Sequence, residues 1–227
     1  VSAAKAIQRP KIGSGTALID EKLALASLPT RTVGAHKWGV GGLVIVAGSP
    51  GYGGAAILSA MAATRAGAGI VTVALPRSLT GVLAMQVPEA ITIPLPDSDS
   101  ANAGQRAAEM ISAKLDRSKA ILIGPGLGDD ETTDYLLRAL FNGPTSRRGA
   151  IGFGAGTADE SQATQSESIL ARHEMPIVID ADGLNWLSAQ SNWWDLLPAG
   201  RVVLTPHLGE LERLTGQDSD KLKSDPV

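Results

Sequence analysis

The sequence contains no cysteine, few aromatic residues and no long apolar run. Without cysteine the chain can form neither a disulfide nor a thiolate metal site, and nothing in it points to an oxidising compartment. No apolar stretch approaches the roughly 18 residues that a transmembrane helix needs. The formal net charge of −3 gives no basic surface for nucleic acid. We therefore expect a cytoplasmic protein that binds neither a membrane nor nucleic acid.

The amino-acid composition is typical of a folded domain. The 227 residues are 44% hydrophobic and 19% charged, which argues against disorder. Aromatic residues make up only 4% while 26 residues are glycine, so we expect helices and sheet to pack closely over small side chains. We interpret residues 1–20 as a tail or linker and residues 21–227 as one α/β domain. The first residue, Val1, indicates that the chain is not an intact translation product.

Short apolar runs rich in β-branched residues alternate with helical patterns along the chain. The predicted strands cover 43–47, 70–75, 90–94, 120–123, 177–180 and 202–205. The predicted helices cover 23–28, 54–67, 79–85, 101–115, 129–141 and 161–173. Residues 142–161 are rich in Gly, Ser, Thr and Pro and are predicted to form an exposed loop. The alternation indicates βαβ units, and hence a three-layer α/β/α domain around a mostly parallel sheet.

Four of the predicted strands end in glycine-rich or polar turns, at 48–54, 124–128, 180–185 and 205–210. Parallel sheets bind ligands at the carboxyl ends of their strands, so four such ends in register would form one site. Glycine allows positive φ and close approach of a ligand, and the helices after the first two turns offer N–H groups to an anion. Taken alone, each glycine-rich turn is equally a plain strand-to-helix connection. The first matches G-x-G-x-x-G poorly and lacks a Walker lysine.

Polar side chains follow the other two strands. If the strand alternation continues, Asp180 and Asp182 face one pocket and could hold Mg²⁺. The alternative is that Asp182 only caps a helix that begins at Gly183. Asn185 lies one helical turn further on. His207 lies in a turn with a proline, a glycine and an acid, and it can act as acid, base or ligand anchor near neutral pH.

Six motifs follow one another along the chain: His36-Lys37-x-Gly39, Ala47-Gly48-Ser49-x-Gly51-Tyr52-x-Gly54-Ala55, Ala66-Gly67-Ala68-Gly69, Gly124-Pro125-Gly126-Leu127-Gly128, Asp180-Ala181-Asp182-Gly183-Leu184-Asn185 and Thr205-Pro206-His207-x-Gly209-Glu210. In this order they resemble the NAD(P)H-hydrate dehydratases, which are ADP- or ATP-dependent repair enzymes with a ribokinase-like fold. The resemblance covers about residues 20–217.

The resemblance implies a hydro-lyase of metabolite repair that returns (6S)-hydrated NADH or NADPH to NAD(P)H. The nucleotide phosphorylates the hydroxyl on the nicotinamide ring, and phosphate leaves as the ring regains its double bond. Such phosphoryl transfer needs positioning and charge neutralisation more than covalent chemistry. The implied cofactors are ADP or ATP with Mg²⁺, and an implied partner is a fused or separate NAD(P)H-hydrate epimerase. We also expect a homo-oligomer.

By motif matching, the resemblance places Ala55, Gly126 and His207 against the hydrated cofactor. It implies that Glu210 acts on the nucleotide phosphates or their metal, and no set of metal ligands is predicted within the chain. The other positions expected to line the substrate pocket are Gly54, Gly128, Asp182 and Asn185.

The sequence departs from the family pattern after the Thr-Pro-His motif. Nothing matches the family's later Lys-Gly strand, or its glycine-rich turn ending in Gly-Asp, whose aspartate is the expected base and would lie beyond Val227. The resemblance therefore implies that the domain is C-terminally incomplete, and no catalytic residue is named. Two alternatives stay open: a small-molecule kinase on the same scaffold, and a catalytically silent nucleotide-binding module.

Overall fold

The computed structural model describes residues 19–28, 33–97, 100–142 and 168–224. The chain divides into two compact units, Val1–Ala35 and His36–Val227. The described part of the first unit contains helix α1 (Glu21–Ser27), whose N-cap Asp20 accepts a hydrogen bond from the amide of Leu23. Most of the predicted tail and of the predicted loop over 142–161 lies outside the described residues.

The second unit contains the six predicted strands, and no strand end differs from its prediction by more than one residue. They are β1 (Gly42–Val46), β2 (Ile70–Pro76), β3 (Ile91–Leu95), β4 (Ala120–Ile123), β5 (Ile177–Ile179) and β6 (Val202–Leu204). The helices are α2 (Lys37–Val40), α3 (Gly53–Ala66), α4 (Thr80–Gln86), α5 (Ala101–Leu115), α6 (Glu131–Asn142), α7 (Ile169–Arg172), α8 (Asp182–Ser188), α9 (Leu208–Thr215) and α10 (Ser219–Ser224). Short 3₁₀ helices lie at Arg77–Leu79 and Trp193–Leu196. The helix predicted over 161–173 is described from Ile169 as α7.

All six strands are parallel and lie in the order β3-β2-β1-β4-β5-β6. Alternate residues of β1 point to opposite faces, so Val44 and Val46 enter one core cluster while Ile45 enters the other. Helices α3 and α4 cover the second cluster, and α5 to α9 contribute to the first. The prediction of a three-layer α/β/α domain around a parallel sheet is confirmed.

The last residues of four strands lie at the same level of the sheet. Val46 of β1 pairs with Ile123 of β4, Ile123 pairs with Ile179 of β5, and Ile179 pairs with Leu204 of β6. The order of the strands along the chain reverses between β1 and β4, and ligands of open α/β sheets bind at such a reversal. The register therefore brings the four predicted turns to one edge.

Close packing over small residues is visible where α5 crosses α6. A Cβ atom added to Gly104 would lie 2.6 Å from Cβ of Tyr135 and 2.7 Å from its carbonyl carbon. Backbone atoms of a buried helix cannot move aside cheaply, so this crossing requires glycine. Among the helices of the described residues, none is both long enough and apolar enough to cross a membrane.

Helices α6 and α8 are joined by an aromatic pair and a carboxylate. The rings of Phe141 and Trp186 stack with centroids 5.3 Å apart. The indole N–H of Trp186 donates to Oδ1 of Asp134 at 2.9 Å, and Nε of Arg138 donates to Oδ2 at 2.7 Å. Partial burial raises the pKa of Asp134, but the two hydrogen bonds and the positive charge of Arg138 outweigh it, so the pKa lies below its ordinary value of 3.8.

Gly104→Ala is expected to destabilise the domain by about 1–3 kcal/mol, because the added methyl group overpacks the crossing of α5 and α6. Gly81→Ala is the matched control, since Gly81 lies in helix α4 and a Cβ there meets nothing within 4 Å. That substitution is expected to be neutral or stabilising by up to about 1 kcal/mol. Urea unfolding of both variants measures the difference, and equal effects would contradict the packing argument.

Asp134→Asn is expected to lower the free energy of unfolding at neutral pH. The difference in this free energy between the variant and the wild type is expected to become smaller in acid. A carboxylate whose pKa is lowered by folding contributes stability above its unfolded pKa, near 3.8, and loses it as pH falls through the lower folded value. Unfolding titrations of both proteins between neutral pH and strong acid measure this. A difference that stays constant over that range would show that the charge of Asp134 is not involved.

Candidate functional site

The turns after β1 and β4 are hydrogen-bonded to each other at the point where the strand order reverses. The N–H of Gly48 donates to the carbonyl of Pro125 at 2.9 Å, and the N–H of Gly124 donates to the carbonyl of Val46 at 3.1 Å. Gly48 and Gly124 both have positive φ, of 85° and 129°. Glycine takes these angles without the strain of a side chain, so the sequence allows the two turns to close on each other.

Gly126 and Ala55 lie in contact across these two turns. Gly126 has φ of 64°, and a Cβ atom there would lie 2.7 Å from Cβ of Ala55 and 2.8 Å from Cβ of Tyr52. Tyr52 is the N-cap residue of α3, and among the described residues no side chain caps this helix. Next to Tyr52 and Gly53, Gly54 is exposed and has open space where its Cβ would be. Three predicted residues therefore surround the uncapped start of a 14-residue helix.

Gly128, Asp182 and Asn185, which are predicted to line the substrate pocket, are joined by hydrogen bonds. The N–H of Gly128 donates to Oδ2 of Asp182 at 2.9 Å. The side-chain amide of Asn185 donates to Oδ1 of the same carboxylate at 3.3 Å. These bonds connect the turn after β4 with the start of α8, which are more than fifty positions apart in sequence.

The strand alternation from which the pairing of Asp180 with Asp182 is argued is wrong. Strand β5 ends at Ile179, and Ala181 has a positive φ of 49°, which breaks the alternation. Asp180 instead accepts a hydrogen bond from the hydroxyl of Thr205 at 2.7 Å. The alternative role of Asp182 as a helix cap is wrong too, since Ala181 is the N-cap residue and Asp182 is the first residue of α8. No group of three or more candidate metal ligands lies together within the described part of the chain.

His207 and Glu210 form a reciprocal cap at the start of α9. Nδ1 of His207 accepts hydrogen bonds from the amides of Gly209, at 3.0 Å, and Glu210, at 3.3 Å. Oε2 of Glu210 accepts from the amide of His207 at 2.9 Å. A neutral imidazole that accepts at Nδ1 carries its proton at Nε2, so these bonds select one tautomer.

The exposure of the two side chains differs sharply. The ring of His207 is 68% exposed, whereas the side chain of Glu210 is 7% exposed. Oε1 of Glu210 lies 3.4 Å from Nε2 of His207, so both carboxylate oxygens are directed at His207. The structure therefore presents the imidazole to solvent and keeps the carboxylate behind it. The role of Glu210 towards a nucleotide stays a prediction.

Arg213 is a residue of this region that the sequence interpretation missed. Its Nε and Nη2 donate to Oδ1 of Asn185 at 3.1 and 2.8 Å. A Cβ atom on Gly209 would lie 3.1 Å from Cε1 of His207 and 3.8 Å from Nη1 of Arg213, so both side chains lie over the same glycine. Arg213 lies three residues after Glu210 on α9, and that helical spacing is the signal that could have found it.

A cleft of about 260 Å³ lies next to this row of turns. It opens at the carboxyl ends of β1, β2 and β3 and at the start of α6. Ser49 and Leu127, from the two glycine-rich turns, form part of its wall. None of the residues predicted for the site lines this cleft.

Comparison with known proteins gives one family and several related structures. The family described as NAD(P)H-hydrate dehydratase matches residues 43–146 and 144–226. A bifunctional NAD(P)H-hydrate repair enzyme Nnr of Salinibacter ruber is 34% identical over 191 residues, which are 84% of this chain and 30% of that protein. The chain thus spans less than a third of the length of this curated relative.

Two solved structures share the fold. A ribokinase-like superfamily protein of Enterococcus faecalis V583 superposes with a TM-score of 0.67 at 22% identity, covering 93% of this chain and 61% of that one. The ADP/ATP-dependent NAD(P)H-hydrate dehydratase of Bacillus subtilis, co-crystallised with ATP/Mg²⁺, gives 0.62 at 24% identity, with coverages of 91% and 58%. These likenesses confirm the predicted ribokinase-like fold.

The family match extends over most of the chain and includes all four turns that meet at the sheet edge. The chain belongs to the NAD(P)H-hydrate dehydratase family.

Proposed function

We propose that the protein restores NADH and NADPH from their (6S)-hydrated forms in a reaction that consumes ADP or ATP, and that this chain provides the surface that binds the hydrated dinucleotide. The observation that carries the proposal is the register of β1, β4, β5 and β6, which gathers four family motifs at one edge of the sheet. Membership of the family supports the choice of substrate.

The first two turns suit the pyrophosphate of a dinucleotide. The start of α3 has no side-chain cap among the described residues, and the amides of such a helix end, with its dipole, attract an anion. Gly54 and Ala55 are too small to keep a phosphate away from these amides. We propose that they bind the pyrophosphate, with Gly126 providing the opposite wall. Because the net charge is negative, this local positive potential has to hold the anion.

The last two turns suit the uncharged parts of the ligand. The Nε2–H of His207 is a donor on an exposed ring, and we propose that it donates to an oxygen of the hydrated nicotinamide. We propose Glu210 as a positioning residue for that ring, since its carboxylate is buried behind His207. Asp182 accepts from the amide of Gly128, Asn185 donates to Asp182, and Arg213 adds positive charge beside them.

The nucleotide supplies the phosphoryl group that turns the ring hydroxyl into a leaving group. The carboxylates of Asp180 and Asp182 are hydrogen-bonded to different partners, and we assign no metal ligand to this chain. We further propose that an NAD(P)H-hydrate epimerase, fused or separate, works with the protein. Exposed apolar side chains on α3 and α4, Leu58 and Met85, support the expected homo-oligomer.

Incubation with hydrated NADH, Mg²⁺ and either ADP or ATP is expected to restore the near-ultraviolet absorbance of reduced nicotinamide. The control without nucleotide is expected to show no recovery, because the ring hydroxyl is then not activated. Phosphorylation of a thiazole or pyrimidine alcohol without this recovery would favour a small-molecule kinase. Nucleotide binding with neither reaction would favour a catalytically silent module.

His207→Asn is expected to weaken the binding of hydrated NADH about tenfold while leaving the start of α9 intact, since asparagine accepts the same backbone hydrogen bonds at an N-cap. His207→Ala is expected to weaken binding as much and also to lower the free energy of unfolding by about 1 kcal/mol, because the cap is lost. Calorimetry and urea unfolding separate the two effects. Unchanged affinity in both variants would remove His207 from the site.

A further inference from the structure

The hydroxyl of Ser49 is a feature of the first glycine-rich turn that the proposed function leaves unused. Ser49 is 9% exposed and is one of the few buried polar residues of the described chain. Within the described residues its hydroxyl has no hydrogen-bond partner, whereas its backbone carbonyl accepts from the amide of Tyr52 at 2.8 Å. Every fully enclosed polar side-chain atom of the described residues is partnered, so this hydroxyl must reach open space. That space is the cleft of about 260 Å³.

Because the hydroxyl opens onto the cleft, it contributes no hydrogen bond to the fold, and alanine would occupy the same place in the turn. Helix capping does not explain a serine at this position, because the side chain of Ser49 caps neither α3 nor another described helix. The hydroxyl is therefore available to form a hydrogen bond with a ligand in the cleft.

The chemistry of the cleft wall restricts what that ligand can be. Leu95, Leu127 and Leu136 make the wall mostly apolar, and the polar groups at its rim include the carboxylates of Asp97 and Asp130. Among the described residues no lysine, arginine or histidine lines the cleft. Carboxylates repel phosphate and accept hydrogen bonds from hydroxyl and amino groups, so the wall fits an uncharged ring that carries such donors.

The size of the cleft suits one part of a dinucleotide. Pockets that enclose a complete drug-sized ligand measure about 300–1,000 Å³, and this cleft is smaller. One nucleoside, a ring with its ribose, is the part of a dinucleotide that suits such a volume.

The cleft also adjoins the residues proposed for the substrate. A Cβ atom on Gly128 would lie 3.6 Å from Oγ of Ser49, and the amide of Gly128 is held by Asp182. Gly48, the residue that joins the turns after β1 and β4, lines the cleft as well. A ligand whose phosphates lie at the start of α3 can therefore place one end here.

We propose that this cleft binds an uncharged nucleoside end of the hydrated dinucleotide, with the hydroxyl of Ser49 hydrogen-bonded to its ring or ribose. This inference rests on the proposed function and names the part of the substrate that the cleft takes. The ring lies against the leucine wall, and Asp97 and Asp130 accept from hydroxyl or amino groups at the rim. Either end of the dinucleotide shares this chemistry, and the experiment tells the two apart.

The test measures the binding of adenosine, of reduced nicotinamide riboside and of hydrated NADH to the chain, by ligand-observed NMR and calorimetry. At least one nucleoside is expected to bind, and the one that hydrated NADH displaces identifies the end that occupies the cleft. Ser49→Ala is expected to weaken binding of that nucleoside and of hydrated NADH about three- to tenfold. Inorganic pyrophosphate alone is expected not to displace the nucleoside.

Thermal unfolding separates a ligand-binding role of Ser49 from a structural one. The melting temperature of Ser49→Ala is expected to be unchanged or higher, because the hydroxyl has no partner among the described residues. Ser191→Ala, which changes an exposed serine of the turn after α8, is the matched control and is expected to alter neither property.

Two results would overturn the assignment of the cleft. One is equal binding of the nucleosides and of hydrated NADH by wild type and Ser49→Ala, which leaves the proposed function intact. The other is displacement of the nucleoside by pyrophosphate, which would make the cleft a phosphate site. A third result would instead count against the proposed function. In that case hydrated NADH does not bind the wild type, although the wild type binds the nucleoside and Ser49→Ala does not.

Discussion

The contact between the turns after β1 and β4 is the constraint on which the site depends. The hydrogen bond from Gly48 to Pro125 and the contact of Gly126 with Ala55 leave no room for larger side chains. Because the order of the strands along the chain reverses between β1 and β4, this contact lies at the edge of the sheet where ligands bind.

The other half of the site is built from side chains that position one another. Asp182 holds the amide of Gly128 and the amide group of Asn185, and Asn185 in turn accepts from Arg213. At the start of α9 the reciprocal cap of His207 and Glu210 selects the tautomer of the imidazole. A ligand meeting this edge therefore encounters groups whose directions are already set, which lowers the entropy lost on binding.

The features that the sequence predicts correctly are local ones. Strand ends were predicted to within one residue, because apolar runs and glycine breaks act over a few positions. The strand alternation assumed for Asp180 and Asp182 failed, since the positive φ of Ala181 leaves no trace in a pattern of polar and apolar residues. Arg213 was missed although its helical spacing from Glu210 was readable. The environment of Ser49 could not be read at all, because its neighbours come from distant segments.

By itself the sequence determined the α/β class, the positions of the strands, and the four turns together with the family that they resemble. These depend on propensities and spacings within short segments, which each segment carries with it. Only the tertiary structure decided which strands are neighbours, that their ends align, and which side chains share hydrogen bonds across the turns. Those contacts join residues more than fifty positions apart, and they form only when burial of the two core clusters brings the strands into one sheet.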